Sequence, residues 1–207
     1  MTCNGIRGLP CIVVCALPLL VASGVRADPP AEPLPDGPSA VQFDVEVDPL
    51  AYAFEGYSLH VGLRTGISRL ALGAFAAAYP DPLKANRDLD ARQSGAGIKL
   101  DFRPFRRAPA PTEWQRDLLQ GPFVGLGASY SWLFVREPRS GGSDTGFQVR
   151  LTVRCGWGIP LAWGLYVTPW ASVGYVLGAR DLIAAGEIWE AKRLTLFATV
   201  HLGWRLP

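Results

Sequence analysis

The chain of 207 residues is poor in the residue types that build reactive or metal-binding sites. It has two histidines and four cysteines, and three of those cysteines (Cys3, Cys11 and Cys15) lie close to its start. Two histidines without ligand spacing predict no metal centre. Gly125 and Gly127 lack the third glycine and the following helix of a dinucleotide-binding motif, so the sequence predicts no cofactor.

Long hydrophobic runs are absent except for one near the N-terminus. Residues 11–25 are apolar, follow Arg7, and are interrupted by Pro18, which favours a cleaved signal peptide over 1–27 rather than an anchor. Without Arg7 and Arg26 the 20 basic residues become 18, equal to the 18 acidic ones, so we expect no nucleic-acid partner. In the exported protein Cys155 would then have no cysteine with which to form a disulfide. Residues 28–40 hold five prolines and predict an extended tether.

Strict alternation of apolar and polar residues is the main feature of the chain beyond residue 40. In FQVRLTVRCGW (147–157), every second side chain from Phe147 to Trp157 is apolar or cysteine, and the intervening positions include Arg150 and Arg154. Successive side chains of a strand point to opposite faces, so this segment predicts a strand with one apolar and one polar face.

Eight such segments predict an all-β fold, a single antiparallel up-and-down β-barrel of about eight strands over 41–207. The segments are 41–48, 57–64, 69–79, 97–103, 123–135, 147–157, 165–177 and 194–205. Polar connections at 80–94, 136–146 and 178–190 fall at one end and tight ones at 65–67 and 158–163 at the other, as in membrane barrels, with the long stretch 104–120 as the one exception. Residues 49–55 are apolar for a loop and predict either a short helix or a continuation of the strands.

Alternation alone also suits a soluble barrel, whose apolar face would turn inward. Segment lengths of 11–13 residues and aromatic residues near segment ends favour a membrane, although the faces of 69–79 are ambiguous. Because an arginine facing lipid costs roughly 2–4 kcal/mol, the charged faces must then point into the lumen. The predicted lumen charge cluster comprises Asp44, Glu46, Asp48, Arg64, Lys99, Asp101, Arg103, Arg150, Arg154, His201 and Arg205. We expect Arg150 and Arg154 to pair with acidic members of this cluster.

The region from 41 onward resembles the eight-stranded bacterial outer-membrane β-barrels, the class with OmpA-type and other small barrels. The stretch VDPLAYAFEGYSLHVGLR is similar to the opening of uncharacterised barrel families of this kind. The resemblance implies a bacterial outer-membrane location, the lipid bilayer and the barrel-assembly machinery as partners, and a monomer. Such barrels usually end on an aromatic residue, and here Trp204 precedes Arg205-Leu206-Pro207.

The function predicted from these features is a non-enzymatic outer-membrane barrel with a structural or surface-binding role. Three alternatives stay open: a small pore, a lipid-modifying enzyme, and a secreted or periplasmic soluble binding module. The enzyme alternative has only Ser58 beside His60 as a nucleophile and base, a spacing that matches no recognised motif.

Overall fold

The structure is a computed structural model that describes residues 41–103 and 121–206. The predicted signal peptide (1–27), the predicted tether (28–40), the segment 104–120 and Pro207 lie outside the described residues.

Eight of the strands in the described residues close into one antiparallel barrel. They are β1 (Val41–Val47), β2 (Tyr57–Thr65), β3 (Ser68–Ala78), β4 (Asp90–Phe102), β5 (Gly121–Arg136), β6 (Ser143–Pro160), β7 (Leu165–Leu177) and β10 (Leu194–Arg205). Each pairs with its neighbour in sequence, and β1 pairs with β10 to close the ring. The predicted single up-and-down barrel of eight strands is confirmed.

The two ends of the barrel differ in their connections. We call the end that carries Val41 and Arg205 the terminus end, where β2 turns directly into β3. The opposite end, the loop end, carries the connections after β1, β3, β5 and β7, and the last of these contains a hairpin of β8 (Leu182–Ala184) and β9 (Glu187–Trp189) that leads into β10. The alternation of connection lengths follows the predicted pattern at the β2–β3 and β6–β7 turns, whereas the long connection between β4 and β5 at the terminus end is the expected exception.

The apolar stretch after β1 forms a short helix, α1 (Pro49–Ala53), so the first of the two predicted alternatives is correct. Asp48 caps it, because a carboxylate oxygen of Asp48 accepts a hydrogen bond from the Leu50 amide at 2.9 Å. Pro49 suits the first turn, where its missing N–H has no partner to lose. Two single 3-10 turns, Asp81–Leu83 and Ala162–Gly164, complete the described elements.

β5 and β6 extend beyond the apolar segments that predicted them. Their pairing runs from Gly121 opposite Gly158 to Arg136 opposite Ser143. Backbone hydrogen bonding does not require apolar side chains, so the two strands continue past the apolar band into polar residues at the loop end.

The outward face of the barrel is a continuous apolar wall. Leu126, Leu151, Val153, Val173 and Leu196 each expose about half or more of their side chains. Cys155 lies on this face and is exposed.

Large aromatic side chains lie on the wall at two heights. Trp132 packs edge-on against Phe147 towards the loop end, whereas Trp157 and Trp204 are exposed towards the terminus end. Phe147 and Trp157 are ten residues apart on β6, which at ~3.3 Å per residue and a tilt of ~40° spans about 25 Å. Tyr79, the aromatic residue at the end of the predicted segment 69–79, turns inward instead, and its hydroxyl donates to Gln93 Oε1 at 2.7 Å.

Candidate functional site in the barrel lumen

The eleven residues of the predicted charge cluster all lie on the inward side of the barrel. Eight are buried, namely Asp44, Glu46, Asp48, Arg64, Asp101, Arg103, Arg154 and His201. Lys99, Arg150 and Arg205 are half-buried. The period of the strands thus brings charges from β1, β2, β4, β6 and β10 into one interior.

The centre of the cluster is Arg69, which the sequence did not single out. Its guanidinium donates to both carboxylate oxygens of Asp44, with Nε 2.9 Å from Oδ2 and Nη2 bonded to Oδ1. Nη2 is also 3.1 Å from Glu46 Oε2, and Nη1 is 3.6 Å from Asp101 Oδ2. One buried arginine therefore contacts three buried carboxylates.

Arg69 was missed because the small and apolar residues of β3 left its two faces ambiguous. A signal was nevertheless present in the turn between β2 and β3. Arg64 and Arg69 are directly paired across this hairpin, and paired residues of antiparallel strands share a face. An inward Arg64 therefore requires an inward Arg69.

Glycines opposite the long side chains make room for this network. A Cβ at Gly62 would lie 2.5 Å from Asp44 Oδ1 and 2.7 Å from Arg69 Nη2. A Cβ at Gly125 would lie 2.3 Å from Asp101 Oδ1. These inward glycines are therefore required by the ion pairs that cross them.

The carboxylates have further polar partners. The Tyr166 hydroxyl lies 2.9 Å from Asp44 Oδ1 and 3.1 Å from Glu46 Oε1. Thr199 donates its hydroxyl to Asp48 at 2.8 Å, and His201 Nδ1 lies 3.1 Å from Glu46 Oε2. Since buried carboxylates are costly unless they are hydrogen-bonded, these contacts stabilise the charged state.

The two histidines stack on each other, with ring centroids 5.1 Å apart and planes 14° from parallel. Ser58 Oγ lies 3.0 Å from His60 Nε2, and Lys99 Nζ lies 3.2 Å from the same nitrogen. A serine nucleophile needs a base that a third group orients, but His60 Nδ1 has no hydrogen-bond partner among the described residues. The carboxylate of Glu46 contacts His201 instead.

Aromatic rings pack against the guanidinium groups of two further cations, Arg154 and Arg103. The guanidinium of Arg154 lies 4.2 Å from the Trp170 ring centroid and 5.1 Å from that of Phe123. Arg103 stands 4.9 Å from the same Phe123 ring. Arg154 Nε is 3.4 Å from Asp101 Oδ1, so Arg154 has an acidic neighbour as expected.

Arg150 differs from this expectation, because no described carboxylate lies within ion-pair distance of it. It points towards the loop end, beside the Tyr79 hydroxyl, and lines a cavity of about 120 Å³. None of the four carboxylates of the charge cluster lines this cavity.

A cluster of apolar side chains occupies part of the loop end of the lumen, beside the cavity that Arg150 lines. The β8–β9 hairpin, which we call the cap, turns Leu182, Ala184 and Trp189 into a buried cluster with residues on β4 and β5. Leu182 fills the space at Gly146 on β6, where a Cβ would lie 2.8 Å from its side chain.

Polar contacts pin the cap to the barrel rim. Arg180 donates two hydrogen bonds to the Asp144 carboxylate, at 3.0 and 3.1 Å. These bonds raise the pKa of Arg180 above its usual value, although the side chain is exposed. Asn86 donates to Glu187 at 3.0 Å from the neighbouring loop. These contacts hold the cap against the strands and the neighbouring loop at this end of the barrel.

Comparison with solved structures shows likeness in fold. The chain is similar to a crystal structure of Neisserial surface protein A (NspA), with a TM-score of 0.43 and 13% identity over 80% of this chain and 94% of that one. It is also similar to a crystal structure of a major outer membrane protein from Thermus thermophilus, with a TM-score of 0.45 and 14% identity over 81% of this chain and 100% of that one. No protein-family model and no curated protein matches the chain. The predicted resemblance to the eight-stranded outer-membrane barrels is confirmed at the level of the fold, a closed antiparallel barrel of eight strands.

Two kinds of feature are absent from residues 41–103 and 121–206. None of the helices there combines the length and apolar character needed to cross a membrane. Nor do these residues bring three or more histidine, cysteine, aspartate or glutamate side chains into a group that could hold a metal ion.

Proposed function

We propose that this protein is a non-enzymatic outer-membrane β-barrel with a structural or surface-binding role. The observation that carries the proposal is the combination of an apolar outer wall with a charged, filled interior. A soluble barrel has the reverse arrangement, with its apolar face inside.

The apolar wall supports the membrane location. Contiguous exposed apolar surface of this extent is rare on soluble monomers. The spacing of about 25 Å between the two aromatic levels equals the usual height of the apolar band of a membrane barrel. Because the barrel is closed, the backbone N–H and C=O groups of its strands are paired with neighbouring strands rather than exposed to lipid. The exception is the part of β10 that extends beyond the four positions at which it pairs with β1.

The proposal extends to the route by which the protein reaches the membrane. The predicted signal peptide over 1–27 would direct export and be cleaved, and the barrel-assembly machinery would insert the mature chain. We propose a monomer, because both halves of the lumen are filled by residues of one chain.

The closed interior supports a structural or binding role over a pore. The Arg69 network occupies the terminus-side half of the lumen, and the cap packs apolar side chains into the loop-end half, beside the cavity that Arg150 lines. A surface-binding role would then belong to the cap and the loops beside it. The enzyme alternative is disfavoured because Ser58 and His60 lack an orienting carboxylate on Nδ1 among the described residues.

A substitution on the wall tests the membrane location. Val153 lies on the outward face of β6 and is 62% exposed. Val153→Arg should reduce the free energy of folding into lipid vesicles by about 2–4 kcal/mol, because the charge would face hydrocarbon. Urea titration of vesicle-embedded protein measures this change.

Thr145→Arg is the matched control, since Thr145 lies on the same face of β6 near the loop end. It should cost no more than about 1 kcal/mol, as expected near the membrane interface. If both variants fold with the stability of the unmodified protein and stay soluble without detergent, the soluble binding module is correct instead.

A further inference from the structure

Arg64 is the least satisfied charge in the lumen. Its side chain is 1% exposed, and none of Nε, Nη1 and Nη2 has a hydrogen-bond partner among the described residues. Arg69, directly opposite on the neighbouring strand, contacts three carboxylates. The two arginines thus lie side by side at the same level of the barrel, but only Arg69 has carboxylate partners among the described residues.

The charges around Arg64 are of both signs. Arg103 and Arg69 repel its guanidinium, and Asp44 attracts it. Arg103 donates Nη1 to the Gly121 carbonyl at 2.7 Å, but its Nε has no partner among the described residues. Arg154, which shares the Phe123 ring with Arg103, has no hydrogen bond on any of its three nitrogens within the described part of the chain.

The acids of the lumen are already occupied. Asp44, Glu46 and Asp101 surround Arg69, Asp101 also lies 3.4 Å from Arg154 Nε, and Asp48 caps α1 and accepts from Thr199. The terminus-side half of the lumen therefore holds more buried guanidinium groups than carboxylates to bind them. Buried charges without partners are costly, and guanidinium groups bind oxyanions through paired N–H donors.

We infer that Arg64, together with Arg103 and Arg154, forms a binding site for an oxyanion of the phosphate class at the terminus end of the lumen. The anion reaches the site from water rather than from lipid, because all three side chains lie inside the wall. Arg64 and Arg154 each supply three nitrogens without a hydrogen-bond partner among the described residues, and the Phe123 ring packs against the guanidinium groups of Arg103 and Arg154. Since this site depends only on the folded barrel, it goes beyond the proposed function.

Calorimetric titration of inorganic phosphate into the purified, refolded full-length mature protein in a non-ionic detergent tests the site. Saturable phosphate binding is expected, above that of chloride at equal ionic strength. Arg64→Gln should weaken it by about tenfold or more, the loss expected when charge-assisted hydrogen bonds are removed. Arg139→Gln, in the exposed loop between β5 and β6, is the control and should bind phosphate like the unmodified protein.

A second readout separates ligand binding from a structural role. Arg64 has no described partner to lose, so Arg64→Gln should unfold at no lower urea concentration in chloride and should lose the stabilisation that phosphate gives. If that variant does not fold, Arg64→Lys keeps the charge without the paired donors and should bind phosphate more weakly. The inference is overturned if the unmodified protein binds phosphate no better than chloride, or if folded Arg64 variants keep full affinity. Neither of these two results depends on the proposed outer-membrane location of the protein.

Discussion

The two halves of the lumen are filled in opposite ways within one barrel wall. The terminus-side half contains charged side chains contributed by the strands, with Arg69 at the centre. The loop-end half contains apolar side chains, several of which come from the cap rather than from the wall. The inward side chains of this barrel are therefore charged at one level of the lumen and apolar at another.

This difference has an energetic consequence. Apolar burial contributes in proportion to the area removed from water, so the loss of one side chain is local and graded. An ion-pair network is favourable only when every buried charge has partners, so the loss of one member leaves the others uncompensated. We therefore expect the charged half to be the more sensitive to a single substitution.

The largest effect is expected for Arg69→Gln. It removes the cation shared by Asp44, Glu46 and Asp101 and should lower the free energy of unfolding by about 3–5 kcal/mol. Urea unfolding followed by the shift between folded and unfolded bands on a gel measures the change.

Arg92→Gln is the control for this comparison, because Arg92 and its partner Glu55 are both exposed. It should change the free energy of unfolding by less than about 1 kcal/mol. Equal effects of the two substitutions would show that the buried network contributes no special stability.

A smaller effect is expected for Leu182→Ala in the cap. Leu182 is 1% exposed, and its truncation should cost about 2–4 kcal/mol through lost burial and a residual cavity. Ile183→Ala, in the same hairpin but 57% exposed, should have little effect. Hydrogen exchange at the cap amides is the appropriate measurement, and equal protection in the two variants would argue against the apolar cluster.

The smallest effect is expected for conductance. If each half of the lumen closes it independently, then neither the unmodified protein nor Leu182→Ala should show steady conductance steps in planar bilayers. Steps from Leu182→Ala alone would make the cap the main barrier to ions. Steps from the unmodified protein would favour the small-pore alternative over a structural or surface-binding role.

Much of the fold was predictable because strand period is a local property. The alternation in 147–157 assigned Arg150 and Arg154 to the inward face before any contact was known, and connection lengths indicated which loops share an end. The cap was not predictable in this way. The loop 178–190 has polar flanks, and nothing local shows that Leu182 and Trp189 turn into the lumen.

The sequence by itself determined the alternating faces of most strands, and with them the apolar wall and the inward charges other than Arg69. Only the tertiary structure decided which charges meet. Asp44 and Arg69 are far apart in sequence and become partners because β1 and β3 flank β2 and Gly62 leaves space between them. Which charged side chains form ion pairs depends on the register between strands and on the space that the facing side chains leave inside the barrel. Neither is encoded at a single position of the sequence. For the same reason only the closed barrel reveals that Arg69 holds three acids while Arg64 holds none among the described residues.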